Sequence, residues 1–397
     1  MSLAKITRQQ KARATTSISP IVTTSSRSYT RSTELKLYVR AGGRCEFDGC
    51  NTYLLSHHLT HAEGNFAQMA HIVAFKPDGP RGKEAPRPAN INDVENLMLL
   101  CHRCHKLIDD HPEDYTRATL EQYKSAHEAR IFRLTDIKPD RKTTVVQLKA
   151  RIGGHIVSIP APDVNEAVSP RYPTDTRGYV IDLTNIHGDG DAFYEAAMQT
   201  IKHEVERLYA PGMEIEQTRH ISLFALAPMP LLIYLGSQLS NKVAVDPYQR
   251  HRDTEDWAWK TDGDPVGYTF NFLREGTDRS KVALLLSLSG KIHLDNLPRD
   301  IDGAFNIYEI TLGGSTPNPI YLRLKQDLTD FRDVYQQALR KIMHDHVALG
   351  EIHLLPAVPA PVAVLCGREL LPKVDPALLV YDSDKKNNGF QPILRVN

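Results

Sequence analysis

Residues 94–109 read VENLMLLCHRCHKLID. A short apolar run leads into Cys101 and Cys104, a C-x2-C pair, with Asn96 before it and His105 directly after it. Upstream, Cys45 and Cys50 stand as C-x4-C in RCEFDGC. Two such pairs have the spacing of knuckles that clamp one tetrahedral zinc ion. The chain has five cysteines, too few and too unevenly placed for a secreted disulfide framework. The fifth, Cys366, sits in PVAVLCGREL and reads as a small buried thiol.

Between the knuckles, MAHIVAF carries His71. Beyond Cys104 the pattern becomes helical to about residue 132, and a short helical stretch at 32–41 precedes the first knuckle. Residues 1–30 are rich in Ser, Thr and basic side chains without periodicity, and read as a basic flexible arm. The polar run DIKPDRKTT at 136–144 reads as a linker, which bounds a domain at 31–135. At 397 residues the chain has room for two or three compact units. It has no apolar window of membrane-spanning length and no signal-peptide core, so a cytoplasmic protein with no membrane partner is expected.

Charge is unevenly divided. Residues 1–142 hold 22 basic and 16 acidic side chains, and the remainder holds 26 and 32, so the parts carry +6 and −6. A polyanion would meet the N-terminal part through salt-sensitive phosphate contacts.

The second half repeats itself. Shifted by 131 positions, HISLFALAPMPLLIYLGSQLSNKV (220–243) lies over EIHLLPAVPAPVAVLCGRELLPKV (351–374) without a gap. Pro228 meets Pro359, Pro230 meets Pro361, Gly236 meets Gly367 and Leu239 meets Leu370. Each copy follows a probable strand (178–183, 305–312) and an amphipathic helix (192–209, 329–349). Strand, helix, strand, Pro-x-Pro, helix is a βαβα run, the pattern of parallel sheets flanked by helices. Two Rossmann-like lobes are expected within 145–397, at about 145–275 and 276–397, the second reaching a strand at 378–382.

His71, Asn96 and His105, in that order and threaded through Cys45, Cys50, Cys101 and Cys104, resemble the pattern of the HNH endonucleases over about residues 32–132. That resemblance implies a zinc-stapled ββα-metal domain of α+β class. It also implies that His71 activates water, that His105 helps hold a Mg²⁺ or similar cation, and that Asn96 binds the cation or orients the loop carrying His71. The chemistry suits the residue types, since an imidazole with a pKa of about 6.5 can take a proton from water near neutral pH. Many relatives place an acidic metal ligand directly before the first His, where this chain has Ala70; Glu63 or Asn65 could replace it. His57, His58 and His61 read as loop residues, and Arg81 and Lys83 could touch phosphates or merely be solvated.

An HNH module followed by the duplicated unit, with RGYVIDLTN and HISLFALAPMPLLIYLG, resembles the HNH-SAVED effectors of bacterial anti-phage cyclic-oligonucleotide signalling (CBASS). This implies an α/β SAVED domain of two fused CARF-like lobes that binds a cyclic di- or trinucleotide. It further implies a homo-oligomer, dimeric and larger on activation, that degrades double-stranded DNA. Ligands of open parallel sheets sit beyond the strand C-termini, where helix N-termini attract phosphate. That points to Pro228, Met229 and Pro359. Tyr248, Arg250, Arg252, Trp257 and Trp259 in PYQRHRDTEDWAWK suit base stacking and phosphate neutralisation, and Ser287, Ser289, Lys291, Lys385 and Lys386 lie near strand ends. Each of these aromatics is as compatible with a core position. A modification-dependent restriction enzyme whose second domain reads DNA is the alternative, against which the −6 balance counts. A non-catalytic zinc module would need no His71.

Overall fold

The computed structural model describes residues 28–152, 155–156, 158–175, 177–187, 190–346, 349–384 and 389–396. The chain falls into two compact units, one ending at Asp136 and the other beginning at Ile137.

In the first unit, Thr30 caps helix α1 (Arg31–Ala41) through its hydroxyl, and Gly42 ends it at φ +61°, a left-handed position where glycine is unstrained. Strands β1 (Ala67–His71) and β2 (Leu97–Cys101) form an antiparallel hairpin, with Ala67 opposite Cys101 and His71 opposite Leu97. Helix α2 (His102–Asp110) leaves β2 directly and packs on both strands. The helical region beyond it is not continuous. A break at residues 111–116 starts α3 (Arg117–Thr135) from a Thr116 cap, because Pro112 disfavours helix at the residue before it. Leu37, Leu97 to Leu100, Ile108 and Leu120 form the core, so β2 is apolar throughout because both its faces are covered.

The second unit holds two parallel sheets. In the first, β3 (Lys142–Lys149), β4 (Tyr179–Asp182), β5 (His220–Leu226) and β6 (Ala244–Pro247) take the order β4-β3-β5-β6. The second is built on β8 (Val282–Ser287), β9 (Asn306–Gly313), β10 (Glu351–Ala357) and β11 (Ala377–Asp384), in the matching order β9-β8-β10-β11. Two antiparallel strands flank it, β7 (Gly267–Arg274) on β9 and β12 (Gly389–Val396) on β11. Helices α4 (Asp191–Leu208) and α6 (Lys325–Asp345) are the equivalent crossovers.

The 131-residue offset carries β5 onto β10 residue for residue. Each is followed by a proline-capped helix, α5 (Met229–Leu239) and α7 (Ala360–Arg368). These two helices pack closely on one another, and the matched glycines are the reason. A Cβ on Gly236 would lie 2.0 Å from the Val364 carbonyl oxygen, and one on Gly367 would lie 1.7 Å from that of Ile233. Ile233 and Val364 are themselves related by the offset, so the crossing is a pseudo-two-fold contact of backbone on backbone.

Two boundaries differ from the sequence reading. The expected linker at 136–144 is cut short because β3 begins at Lys142. Thr143 and Thr144 are buried there, and their hydroxyls pair with His220, Ser222 and Thr218. The polar composition that suggested a linker serves a buried hydrogen-bond network instead. The lobe boundary also moves back from 275, since β7 at 267–274 belongs to the second sheet. The expected arm at 1–30 lies mostly outside the described residues. Among the described residues, no helix is long and apolar enough to cross a membrane.

Candidate nuclease centre and sensor face

The four cysteines of the first unit come together, with every Sγ within 4.8 Å of the others. Cys45 enters from the loop after α1, Cys101 caps α2 through its sulfur, and the Cys104 amide points at that sulfur from 3.5 Å. Glu46, fully buried, fastens the first knuckle to the hairpin. Its amide donates to the Leu99 carbonyl and its carboxylate accepts from the Leu99 amide at 2.5 Å. Burial pushes the Cys45 thiol up to about 12, with the neighbouring sulfurs adding to the effect. Burial also raises the Cys50 thiol, but hydrogen bonds with Thr52 and the neighbouring sulfurs outweigh it and bring that group down to about 7. Four sulfur donors gathered this closely fit a tetrahedral thiophilic ion.

His71 ends β1. Its Nε2 lies 3.0 Å from Asn92 Oδ1, and its ring centroid is 5.9 Å from that of Tyr29 and 5.9 Å from that of Phe75. Asn96 is buried and its carboxamide is occupied: Oδ1 accepts from the Val73 amide at 2.9 Å, while Nδ2 donates to the Val73 and Ile91 carbonyls. These bonds fit the second of its two expected roles, orienting the loop. Asn96 is thereby bonded to the loop beyond His71 on both sides, at Val73 and Ile91. His105, on the first turn of α2, is partly exposed, with Nε2 3.4 Å from Asp109 Oδ2 one turn on.

Arg81 is not a phosphate contact. It is buried, at φ +56°, and donates to the Ile72 and Ile108 carbonyls at 2.7 Å each and to that of Tyr115 at 3.3 Å. It therefore ties the residue after His71 to the helix carrying His105. Burial raises the Asp109 carboxyl, but His105 and Arg81 outweigh it and hold the group below the usual carboxylate range. Asn92, Arg81 and Asp109 escaped the linear motif. The only signal among them was the four-residue spacing of His105 and Asp109, which places both on one helix face.

On the second unit the structure divides the proposed ligand residues. Tyr248 and Trp257 are core: Tyr248 stacks on Phe224 at 4.7 Å, and Trp257 meets the same ring edge-on at 5.3 Å. Neither can stack on a base. Ser287 is fully buried and accepts the Ile292 amide, and Lys291 is held at 2.7 Å by both oxygens of the buried Glu309. Pro359 is buried as the cap of α7, and Trp259 packs half-buried against the core. Pro228, Met229, Arg250 and Ser289 are partly exposed and Arg252 is exposed. Lys385 and Lys386 lie outside the described residues. Both Pro-x-Pro turns do fall at strand C-termini, as expected.

Comparison with known proteins bears on both units. Residues 45–112 match the HNH endonuclease family model. Residues 202–396 match that of the SMODS-associated and fused to various effectors sensor domain, SAVED. No curated protein matches the chain. Similar solved structures include the Acinetobacter baumannii Cap4 SAVED/CARF-domain containing receptor with the cyclic trinucleotide 2′3′3′-cAAA. It is 12% identical with a TM-score of 0.44, over 77% of this chain and 64% of that one. The same receptor described without a ligand is 13% identical with a TM-score of 0.41, over 78% and 64%. The Moraxella osloensis Cap4 receptor is 12% identical with a TM-score of 0.38, over 74% and 60%. The chain thus spans less than two thirds of these receptors' length. The chain therefore carries an HNH endonuclease domain and a SAVED sensor domain, the two domains that the resemblance to HNH-SAVED effectors implies.

Proposed function

We propose that this protein is a metal-dependent endonuclease that degrades double-stranded DNA when its SAVED domain binds a cyclic di- or trinucleotide, as part of bacterial anti-phage defence. The observation that carries the reading is the hairpin-and-helix unit. It sets His71 at the end of β1 and His105 on the helix packed across that strand, all stapled by four cysteines suited to structural zinc. His71 takes the proton from the attacking water as its oxygen bonds to phosphorus and the bond to the leaving oxygen breaks. Asn92 and the loop fixed by Asn96 hold the imidazole's orientation. A Mg²⁺ or similar cation at His105 would offset the charge developing on the phosphate.

The duplicated lobes suit a ligand of approximate two-fold symmetry at the strand C-termini, where Met229, Arg250, Arg252 and Ser289 remain candidate contacts. Lys385 and Lys386 stay candidates from sequence alone. The test is plasmid digestion by purified protein with Mg²⁺, with and without a panel of cyclic oligonucleotides, alongside light scattering. Cleavage and a larger homo-oligomer should both appear with one ligand. Equal cleavage without any ligand would favour a constitutive or modification-dependent enzyme, and no cleavage under any condition would remove the nuclease reading.

A further inference from the structure

Ala70 is buried, so the residue before His71 supplies no carboxylate to a cation. The sequence alternatives are badly placed. The Asn65 carboxamide is bonded to the Tyr38 hydroxyl and the Ala67 amide, and Glu63 is bridged to Ser56 in an exposed loop. Both precede Ala67, which the register puts at the opposite end of the hairpin from His71.

Helix α2 runs the other way. It starts beside Ala67, where β2 ends, and by Ile108 and Asp109 it has reached the level of Ile72, to which Arg81 fastens it. We infer that Asp109 is the carboxylate of the cation site, acting with His105 and held in place by the buried Arg81. The inference deepens the nuclease reading and rests on it for the site's purpose.

Two observations support it. The first is the separation of His105 Nε2 and Asp109 Oδ2, 3.4 Å. That is long for an N–H···O hydrogen bond, which centres on about 2.9–3.0 Å. Neighbouring ligands of an octahedral ion with bonds of about 2.1 Å stand about 3.0 Å apart, so a cation needs only a few tenths of an ångström of closure. Both side chains are partly exposed, which leaves room for waters and a substrate phosphate on the remaining positions. A nitrogen and a carboxylate oxygen suit Mn²⁺ as well as Mg²⁺.

The second is the way Arg81 divides its donors. Nε and Nη1 bond to main-chain carbonyls, while Nη2, buried and without a hydrogen bond among the described residues, is aimed at Asp109 Oδ1 from 3.6 Å. The guanidinium thus holds one carboxylate oxygen and leaves the other facing His105. It is a positioning residue, and its fixed fork reaches three elements that a lysine ammonium could not bridge together.

The test uses the full-length, zinc-loaded protein and Mn²⁺ as the probe, followed by electron paramagnetic resonance and calorimetry without DNA. The wild type should bind one Mn²⁺ beyond the zinc. Asp109→Asn should weaken that binding at least 10-fold, with zinc content and melting temperature unchanged. Arg81→Lys should also weaken it, within the 10–100-fold range typical of groups that orient ligands. Asp110→Asn, which removes only the partner of Lys106, should bind as the wild type does. In cleavage assays the Mn²⁺ concentration for half-maximal rate should rise with Asp109→Asn, and saturating Mn²⁺ should restore much of kcat. Unchanged Mn²⁺ affinity in Asp109→Asn, equal loss in Asp110→Asn, or a wild type that takes up no Mn²⁺ would each overturn the inference. If Asp109→Asn loses Mn²⁺ but the wild type cuts no DNA, the cation site stands and the nuclease reading falls.

Discussion

The crossing of α5 and α7 gives the sharpest test of the packing. Gly236→Ala would place a methyl 2.0 Å from the Val364 carbonyl oxygen, where ordinary contact begins at 3.4 Å, so the helices must part by about 1.4 Å at that point. The obstacle is backbone and cannot rotate away. Overpacking of this kind costs about 1–3 kcal/mol, and a backbone clash in a fully buried crossing belongs at the upper end, about 3 kcal/mol. In a domain of this size each kcal/mol lowers the melting temperature by about 2–4 °C, so a fall of about 6–12 °C is expected. Gly367→Ala should do the same, from 1.7 Å. The double variant should cost clearly less than the sum, because one separation of the helices relieves both clashes. Calorimetry of the zinc-replete, ligand-free protein reads this on the transition of the second unit. A Gly236→Ala melting temperature within 2 °C of the wild type, or strict additivity in the double variant, would refute the shared-crossing argument.

Four further outcomes follow from the same structure. Asp246 is pushed up by burial, but His220 and Lys325 outweigh this and hold it at about 2, below its ordinary 3.8. Its contribution, about 2 kcal/mol, is therefore complete above pH 4 and lost as pH falls through 2. Denaturant unfolding should show Asp246→Asn weaker by that amount at pH 7, with the gap closing toward pH 2; a pH-independent gap would exclude the charge as its origin. Trp257→Ala should destabilise the second unit by about 3–5 kcal/mol and leave cyclic-nucleotide affinity intact at low temperature; loss of affinity with an unchanged melting temperature would return Trp257 to the ligand site. His71→Ala should lower cleavage by at least about 100-fold while zinc content, read by mass spectrometry, stays at one per chain. Cys101→Ser should lose zinc and unfold the first unit, since four-cysteine sites supply folding free energy directly, and a stable, fully active variant would sink the zinc assignment.

The parts of this molecule that were legible in the sequence share a property: each is set by spacing along the chain. The cysteine pairs, the order of His71, Asn96 and His105, and the 131-residue offset all survive folding, because a knuckle, a β-hairpin with its helix and a βαβα unit are local structures. What was not legible depends on the far side of a contact. Trp257 and Tyr248 look like stacking platforms until Phe224, from another strand, is seen to fill the space between them. Lys291 looks free until Glu309 arrives from β9. Arg81 sits in a loop whose composition suggests solvent, and only the approach of β1, α2 and the start of α3 makes it a buried clamp. The sequence left Asn96 two roles, and its bonds to the Val73 and Ile91 backbone, which favour the orienting one, depend on a loop that the motif does not describe.

The reciprocal glycine seat also bears on how the two halves of the sensor unit have come to differ. Few side chains are shared between the copies, and the flanking strands β7 and β12 decorate only one of them. Yet each copy's glycine rests on the other copy's main chain, so any side chain gained at one position is opposed by a surface that no substitution in the partner can trim away. Ordinary compensating mutation is closed off there. The surroundings of the crossing can be repacked by exchanging side chains, and the crossing cannot, which makes these two glycines the positions of the repeat least open to substitution.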